Sequence, residues 1–424
     1  METRMRRGSG NGSEAAGKRV FAVLAVAQVV SLFGNAVLRF ALPLYVLNIT
    51  GSSTAMGAVT ACAWVPYIVL APIGGVLADR VRKRRIMAAL DTVMAAVCAV
   101  YLLLRGEADI VALSVMVLVV LYAVQSVYQP TVQASVPVLV GHDGIQRATA
   151  IVSQISMLAS LVGPVLGGLM FGTFGIEPVV TVSGALFVAS ALLIAMAVRV
   201  PFAPLPRDGG VLRTVADDLL QALSFLREGR PVIFKTILLA TAFNLVMSSF
   251  IVIGAPVVVT QVLGLSNQLM GFAEGALALG GLAGGIAAGT LTGKLDLRRS
   301  PLVLALGACT LLFVAAAVAL PMPAMAAYAL VVLGLFCTMA CCSLFSVLAV
   351  SFVQKQTPAN LIGKVMALVM GLSNCASPIG QLMYGWLLDA FRGMVPLLVV
   401  CVVAVSLALA AAVARVLRQS LPLG

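Results

Sequence analysis

Long apolar runs alternate with short polar breaks along nearly the whole chain. The runs fall at about 20–47, 54–78, 86–104, 110–137, 147–172 and 178–199, then at about 232–260, 268–293, 301–320 and 324–353. One more starts after Pro358 and the last covers about 394–416. A helix that crosses a bilayer needs roughly 20 mostly apolar residues, so the pattern predicts an all-α membrane protein with twelve transmembrane helices. The one long break, 200–231, separates six runs from six. It holds Pro201, Pro204, Pro206 and Gly209-Gly210, after which Val211, Val215, Leu219 and Leu223 recur every fourth residue. That spacing predicts an amphipathic helix in the cytoplasmic interface. The expected organisation is a tail (1–19), a six-helix bundle (20–199), the linker (200–231), a second six-helix bundle (232–416) and a short tail (417–424). The first run continues for about 27 residues with no small-residue cleavage site, so it is expected to be retained as helix 1.

Polar positions inside the runs carry the functional signal. In helix 1, Gln28, Ser31, Asn35 and Arg39 share one face, and in helix 4 Gln125, Gln129 and Gln133 do the same. Helix 7 places Thr241, Asn244 and Ser248 on one side, and helix 10 places Thr338, Cys342 and Ser346. Lipid penalises such faces, whereas a water-filled cavity satisfies them. Helix–helix hydrogen bonding satisfies them as well. The candidate cavity residues are Gln28, Asn35, Arg39, Gln125, Gln129, Asn244 and Ser248. Amide and hydroxyl groups in an otherwise apolar lining suit an amphiphilic organic molecule better than a sugar.

Two acids inside the runs, Glu274 and Asp91, are the candidates for binding a coupling proton. Glu274 precedes Ala278, Gly281, Gly285 and Gly289 at helical spacing, so its face is expected to meet another helix along a small-residue seam. An Arg39–Glu274 ion pair is the alternative use of that acid. Asp91 is expected near the basic cytoplasmic end of helix 3, anchored by Arg84, Arg85 or the interface.

Composition narrows the class. The chain is 61% hydrophobic and 10% charged, with mean hydropathy +1.10 and net charge +12. By the predicted topology, 24 of the 27 Lys and Arg residues lie in cytoplasmic segments, which is the orientation signal of a membrane protein with both termini inside. It also favours contact with anionic membrane lipids and excludes a nucleic-acid surface. All eight cysteines fall inside apolar runs and His142 is the single histidine. No metal site, cofactor or catalytic cluster is therefore expected, and the chain does not read as an enzyme.

The densest charge lies in Gly74-Gly-Val-Leu-Ala-Asp-Arg-Val-Arg-Lys-Arg-Arg85, and a degraded copy follows at Gly289–Arg299 with an offset of 214 (289 − 75 and 298 − 84). Helix 5 carries Gly163-Pro-Val-Leu-Gly-Gly168, and Pro378 lies 214 positions after Pro164. The two halves are thus a parallel repeat of the kind transporters use. The acid–base loop resembles that between helices 2 and 3 of the major facilitator superfamily of secondary transporters. Phe40-Ala-Leu-Pro-Leu-Tyr-Val-Leu, Thr50-Gly-Ser and Pro378–Gly385 are most similar to its macrolide-type and siderophore-type bacterial exporters.

That resemblance implies the major facilitator fold in the cell (inner) membrane and alternating access by a monomer. It implies that Gly75, Asp79, Arg80, Arg84 and Arg85 form a conformational switch, with Asp79 docking at the start of helix 11 when the cavity faces outward. It makes Gly163, Pro164, Gly167 and Gly168 an antiporter-type motif and the protein a proton-coupled exporter of small molecules. Arg82 and Gly293 depart from the family pattern, so the second copy of the switch is expected to be weak. A facilitator or importer of an organic, even anionic, metabolite is the alternative, and a transporter-like receptor or scaffold a remote one.

Overall fold

A computed structural model describes residues 2–198, 211–291 and 299–420. Gly293, the linker residues 199–210, and the side chains of Asp79, His142, Val211 and Val215 lie outside the described residues. Every regular element among the described residues is helical. Twelve stretches are long and apolar enough to cross a membrane: α1 (Gly17–Thr50), α2 (Ser53–Gly75), α3 (Lys83–Leu104), α4 (Ile110–Val140), α5 (Gly144–Phe174) and α6 (Ile176–Met196), then α7 (Pro231–Val262), α8 (Asn267–Thr290), α9 (Ser300–Ala319), α10 (Ala324–Gln356), α11 (Ile362–Ala390) and α12 (Arg392–Arg418).

The helix ends follow local chemistry. Asp109 Oδ1 accepts from the Val111 N–H at 3.0 Å and caps α4. Pro231 opens α7 at a position where its missing N–H costs nothing. Gly51 after α1 and Gly264 after α7 both have positive φ, 60° and 63°, which a residue with a Cβ adopts only under strain. These turn glycines are 213 positions apart, like Pro43 and Pro256 just before them.

The chain divides into two compact units. The first comprises Met1–Pro43 and Cys62–Val211, and the second Leu44–Ala61 and Leu212–Gly424. Glycines set the helix contacts of the first unit. A methyl group on Gly163 would collide with Ala36, and one on Gly167 would come within 3.0 Å of Phe40, so α5 lies tight against α1. Gly184 of α6 faces Cys98 of α3, and Gly74 of α2 lies against the Ser126 backbone of α4. Leu24, Ala27, Met87, Tyr128, Val132 and Ile194 form the buried core among them.

In the second unit Gly380 of α11 meets Ser249 and Leu245 of α7, while Gly307 of α9 meets Cys341 of α10. The seam of α8 is on the expected helix and against a single partner, α10, but one position earlier than expected. Gly280 and Gly284 press on the backbones of Phe336 and Ala340, whereas Gly281 and Gly285 meet only side chains at 3.6 Å or more and Gly289 meets nothing. The helix Val211–Ser224 continues into a π-turn, Phe225–Gly229, and rests on this unit through Ala222 and Leu226. Lys364 at the start of α11 pairs with Asp218 at 2.8 Å.

Candidate functional site

The second unit contains a cavity of about 390 Å³ bounded by α7, α10 and α11. The α7 face supplies Thr236, Thr241, Asn244 and Ser248, the α10 face Met339, Cys342, Ser343 and Ser346, and the α11 face Met366 and Ser373. Helical steps of three and four residues bring these side chains onto the same walls. Phe243, Phe345 and several valines complete the lining, which includes no carboxylate, amine, guanidinium or imidazole. A chamber of this size, apolar with a few convergent hydroxyl and amide groups, has the character of a small-molecule site. Asn244 and Ser248, expected from sequence, both line it. Thr338 does not, because it is fully buried and bonds Thr310 across to α9 at 2.7 Å.

Sequence reasoning missed the α11 wall and the Met339 and Ser343 positions. Methionine and serine one turn apart in an apolar helix carry no periodic polar signal, and only the packing of three helices reveals the chamber.

In the first unit the polar stripe divides. Gln28 is completely enclosed and its amide atoms have no hydrogen-bond partner among the described residues. Asn35 Nδ2 donates to Gln125 Oε1 at 3.0 Å, joining α1 to α4, and Gln129 is half-buried one turn further along. Arg39 is exposed. Three aromatic rings that sequence reasoning passed over stand on the same side. Trp64 and Tyr67 of α2 and Tyr122 of α4 pack edge to face, with centroids 5.4, 5.4 and 6.4 Å apart. Arg39 is close enough to Tyr122 to act on it electrostatically.

Asp91 corrects the expectation of an anchor at the basic end of α3. It is fully buried, and it accepts hydrogen bonds from Ser31 Oγ of α1 at 2.7 Å and Ser190 Oγ of α6 at 2.6 Å. The Tyr128 hydroxyl lies beside the same carboxyl group. Arg84 is the basic residue that turns inward, donating to the Ala195 carbonyl of α6, while Arg80 and Arg85 are exposed and Gly75 has open space around it. Glu274 is half-buried on α8, and Gly163, Gly167 and Gly168 are buried along α5 with Pro164 half-buried between them. Among the described residues no group of three metal-ligating side chains comes together.

The family model described as Major Facilitator Superfamily matches residues 24–381. The macrolide efflux protein A of Streptococcus pyogenes is 23% identical over 185 residues, a match that spans under half of either protein (43% of this chain, 45% of that one). The enterobactin exporter EntS of Salmonella typhimurium is 26% identical over 87% of this chain and 85% of its own. The multidrug efflux pump Tap of Mycolicibacterium fortuitum is 25% identical over 84% and 86%. Among solved structures, a nucleoside transporter, NupG, superposes with a TM-score of 0.69 at 13% identity, covering 94% of this chain and 99% of that one. A bacterial homologue of the iron transporter ferroportin gives 0.69 at 18% identity, covering 95% and 98%.

Proposed function

The chain belongs to the major facilitator superfamily, and we propose that within it the protein is a proton-coupled exporter of amphiphilic small molecules. The observation that carries this reading is the uncharged chamber of the second unit, where Asn244, Ser248 and Ser346 place hydrogen-bonding groups against Phe243, Phe345, Met339 and Met366. An amphiphile leaves water for such a lining through its apolar surface and is oriented by the few polar groups. A polyhydroxylated substrate would leave most of its own groups unpaired there. Export is the direction supported by the names of three relatives, a macrolide efflux protein, an enterobactin exporter and a multidrug efflux pump.

In this reading two six-span halves, 20–199 and 232–416, alternate access around the substrate in the inner membrane, with the 200–231 linker and both termini inside. The Gly75–Arg85 loop, with Asp79, Arg80 and Arg84, acts as the conformational switch. The Gly163-Pro-Val-Leu-Gly-Gly168 stretch brings α5 onto α1 as an antiporter-type element. Glu274 is the proposed proton site and Asp91 the second candidate; the protein works as a monomer.

The test is uptake of macrolides and lipophilic dyes into everted vesicles that carry a proton gradient. Accumulation that a protonophore collapses, and that Asn244→Leu lowers about tenfold through the loss of one buried polar contact, is expected. Glu274→Gln is expected to abolish the dependence on the gradient. Accumulation indifferent to the protonophore would remove proton coupling, and none for any amphiphile would remove the export reading.

A further inference from the structure

Arg39 is the unusual residue of the first unit. It lies within the apolar span α1, 11 residues before the helix ends at Thr50. It is nevertheless exposed, while two acids of the same unit are engaged elsewhere, Glu177 with Arg105 and Asp91 with two serines. A guanidinium turned to hydrocarbon is costly, so its exposed head marks a water-accessible wall rather than a lipid-facing one.

The neighbours of Arg39 define what that wall recognises. Asn35, one turn away on α1, is bonded to Gln125, and Gln125 is one turn along α4 from Tyr122. That hydrogen bond ties α1 to α4 one turn from both Arg39 and Tyr122, and Arg39 acts electrostatically on Tyr122. Trp64 and Tyr67, three residues apart on α2, close a triangle of rings with Tyr122. All three rings remain partly exposed. Such a cluster offers faces and edges to a further ring. Aromatic faces alone would also favour a cation, but Arg39 repels one, and its planar donor fork matches a carboxylate.

We infer that the α1–α2–α4 wall of the first unit is a binding site for an aryl-bearing organic anion, with the substrate ring against Trp64, Tyr67 and Tyr122 and its carboxylate on Arg39. This rests on the transporter reading and narrows its amphiphilic substrate to an aromatic acid.

Trp64 makes the site directly readable, because Trp386 is the only other tryptophan. In a Trp386→Phe background, the full-length protein in nanodiscs is titrated with 3-phenylpropionate, 3-phenylpropanol and cyclohexanepropionate while Trp64 emission is followed. Saturable change is expected with the aromatic acid, at an affinity about tenfold or more above the alcohol, the difference expected of a charge-assisted hydrogen bond. Arg39→Gln should remove that preference and leave the alcohol's binding unchanged, while Tyr67→Leu should weaken both aromatic ligands. Should Arg39→Gln fail to fold, Arg39→Lys serves, because it keeps the charge but loses the fork and should retain only part of the preference. Equal affinity for acid and alcohol, or an acid preference that survives Arg39→Gln, would overturn the site. Phenylpropionate binding intact but unaccompanied by vesicle transport would overturn the exporter reading and leave the site standing.

Discussion

The Asp389 carboxylate at the end of α11 accepts a 2.7 Å hydrogen bond from the Ser52 hydroxyl, 337 positions away in sequence. It also accepts from the backbone N–H groups of Ser53 at 2.9 Å and Thr54 at 2.8 Å. Those amides open α2 and have no partner within their own helix. Asp389 is therefore a helix cap delivered from another helix, and it also favours the positive end of the α2 dipole. Arg392 completes the junction, holding Asp389 at 2.8 Å and donating to the Gly51 carbonyl. Asp389→Ala is expected to cost about 1–2 kcal/mol, the range of a lost N-cap. Ser52 Oγ also accepts from the Ala55 N–H at 3.1 Å, so Ser52→Ala loses that bond as well as its own to Asp389; it keeps the two amide contacts and the Arg392 pair of Asp389 and should cost less. Thermal melting of the two purified variants checks the order, and an Asp389→Ala protein that melts with the parent would refute the capping role.

A second prediction comes from counting protons around Asp91. Ser190 Oγ lies 2.6 Å from Asp91 Oδ2 and 3.0 Å from the Ala27 carbonyl oxygen. A hydroxyl has one proton to donate, so Ser190 shares it between the two acceptors while Asp91 is ionised and can give it wholly to Ala27 when Asp91 carries a proton and donates instead. Asn at this position supplies an N–H in the same place. Asp91→Asn should therefore melt close to the parent protein, whereas Asp91→Ala leaves the buried Ser31 hydroxyl without that partner and Ser190 with Ala27 alone, and is expected to cost about 1–3 kcal/mol. Gradient-driven uptake in the Asp91→Asn variant then separates its roles. Uptake at the parental level assigns Asp91 to joining α1, α3 and α6 and leaves Glu274 as the proton carrier.

The linker helix offers a contrast between two kinds of attachment. The Asp218–Lys364 pair is partly solvated, with side-chain exposures of 44% and 30%, so salt and water screen it. Leu226, just beyond the helix, is completely buried against Ile233, Ile237, Val353 and Val365. Asp218→Ala is expected to change stability by less than about 1 kcal/mol, while Leu226→Ala should cost about 2–5 kcal/mol. Chemical denaturation of both variants decides it. Equal losses would mean that the ion pair, rather than the apolar contact, secures the linker.

The number and position of the spans were legible because burial in lipid needs long apolar runs, and each polar break shows as a short interruption. Asn244 and Ser248 were legible as cavity residues because hydrogen-bonding groups repeating on one face of an apolar helix need a wet surface or a partner. The fate of each stripe residue was not. Gln28, Asn35 and Arg39 share one face of α1, yet one is enclosed, one is bonded to Gln125 and one is exposed. Which of these occurs depends on how close the neighbouring helix comes at each turn, and spacing within one helix does not contain that distance. The ring cluster of Trp64, Tyr67 and Tyr122 was hidden for a related reason. Aromatic residues are ordinary in membrane helices, and only the juxtaposition of α2 and α4 makes these three a site.

The seam between α8 and α10 turns the same limit into a test. Glycines recur along α8 at Gly271, Gly275, Gly280, Gly281, Gly284, Gly285 and Gly289, so spacing alone supports two registers about 100° apart around the helix. The structure selects Gly280 and Gly284. A Cβ on Gly284 would run into the Ala340 carbonyl, and backbone cannot swing aside as a side chain does. One position on, a Cβ at Gly285 would meet only Ser343 Oγ at 3.8 Å, an ordinary contact. Gly284→Ala must therefore push α8 away from α10 and is expected to cost about 1–3 kcal/mol through overpacking. Gly285→Ala should be neutral or slightly stabilising, because alanine also has the better helix propensity. Yield of monodisperse protein and melting temperature measure both, and tolerance of Gly284→Ala with damage from Gly285→Ala would restore the register that the sequence spacing first suggested.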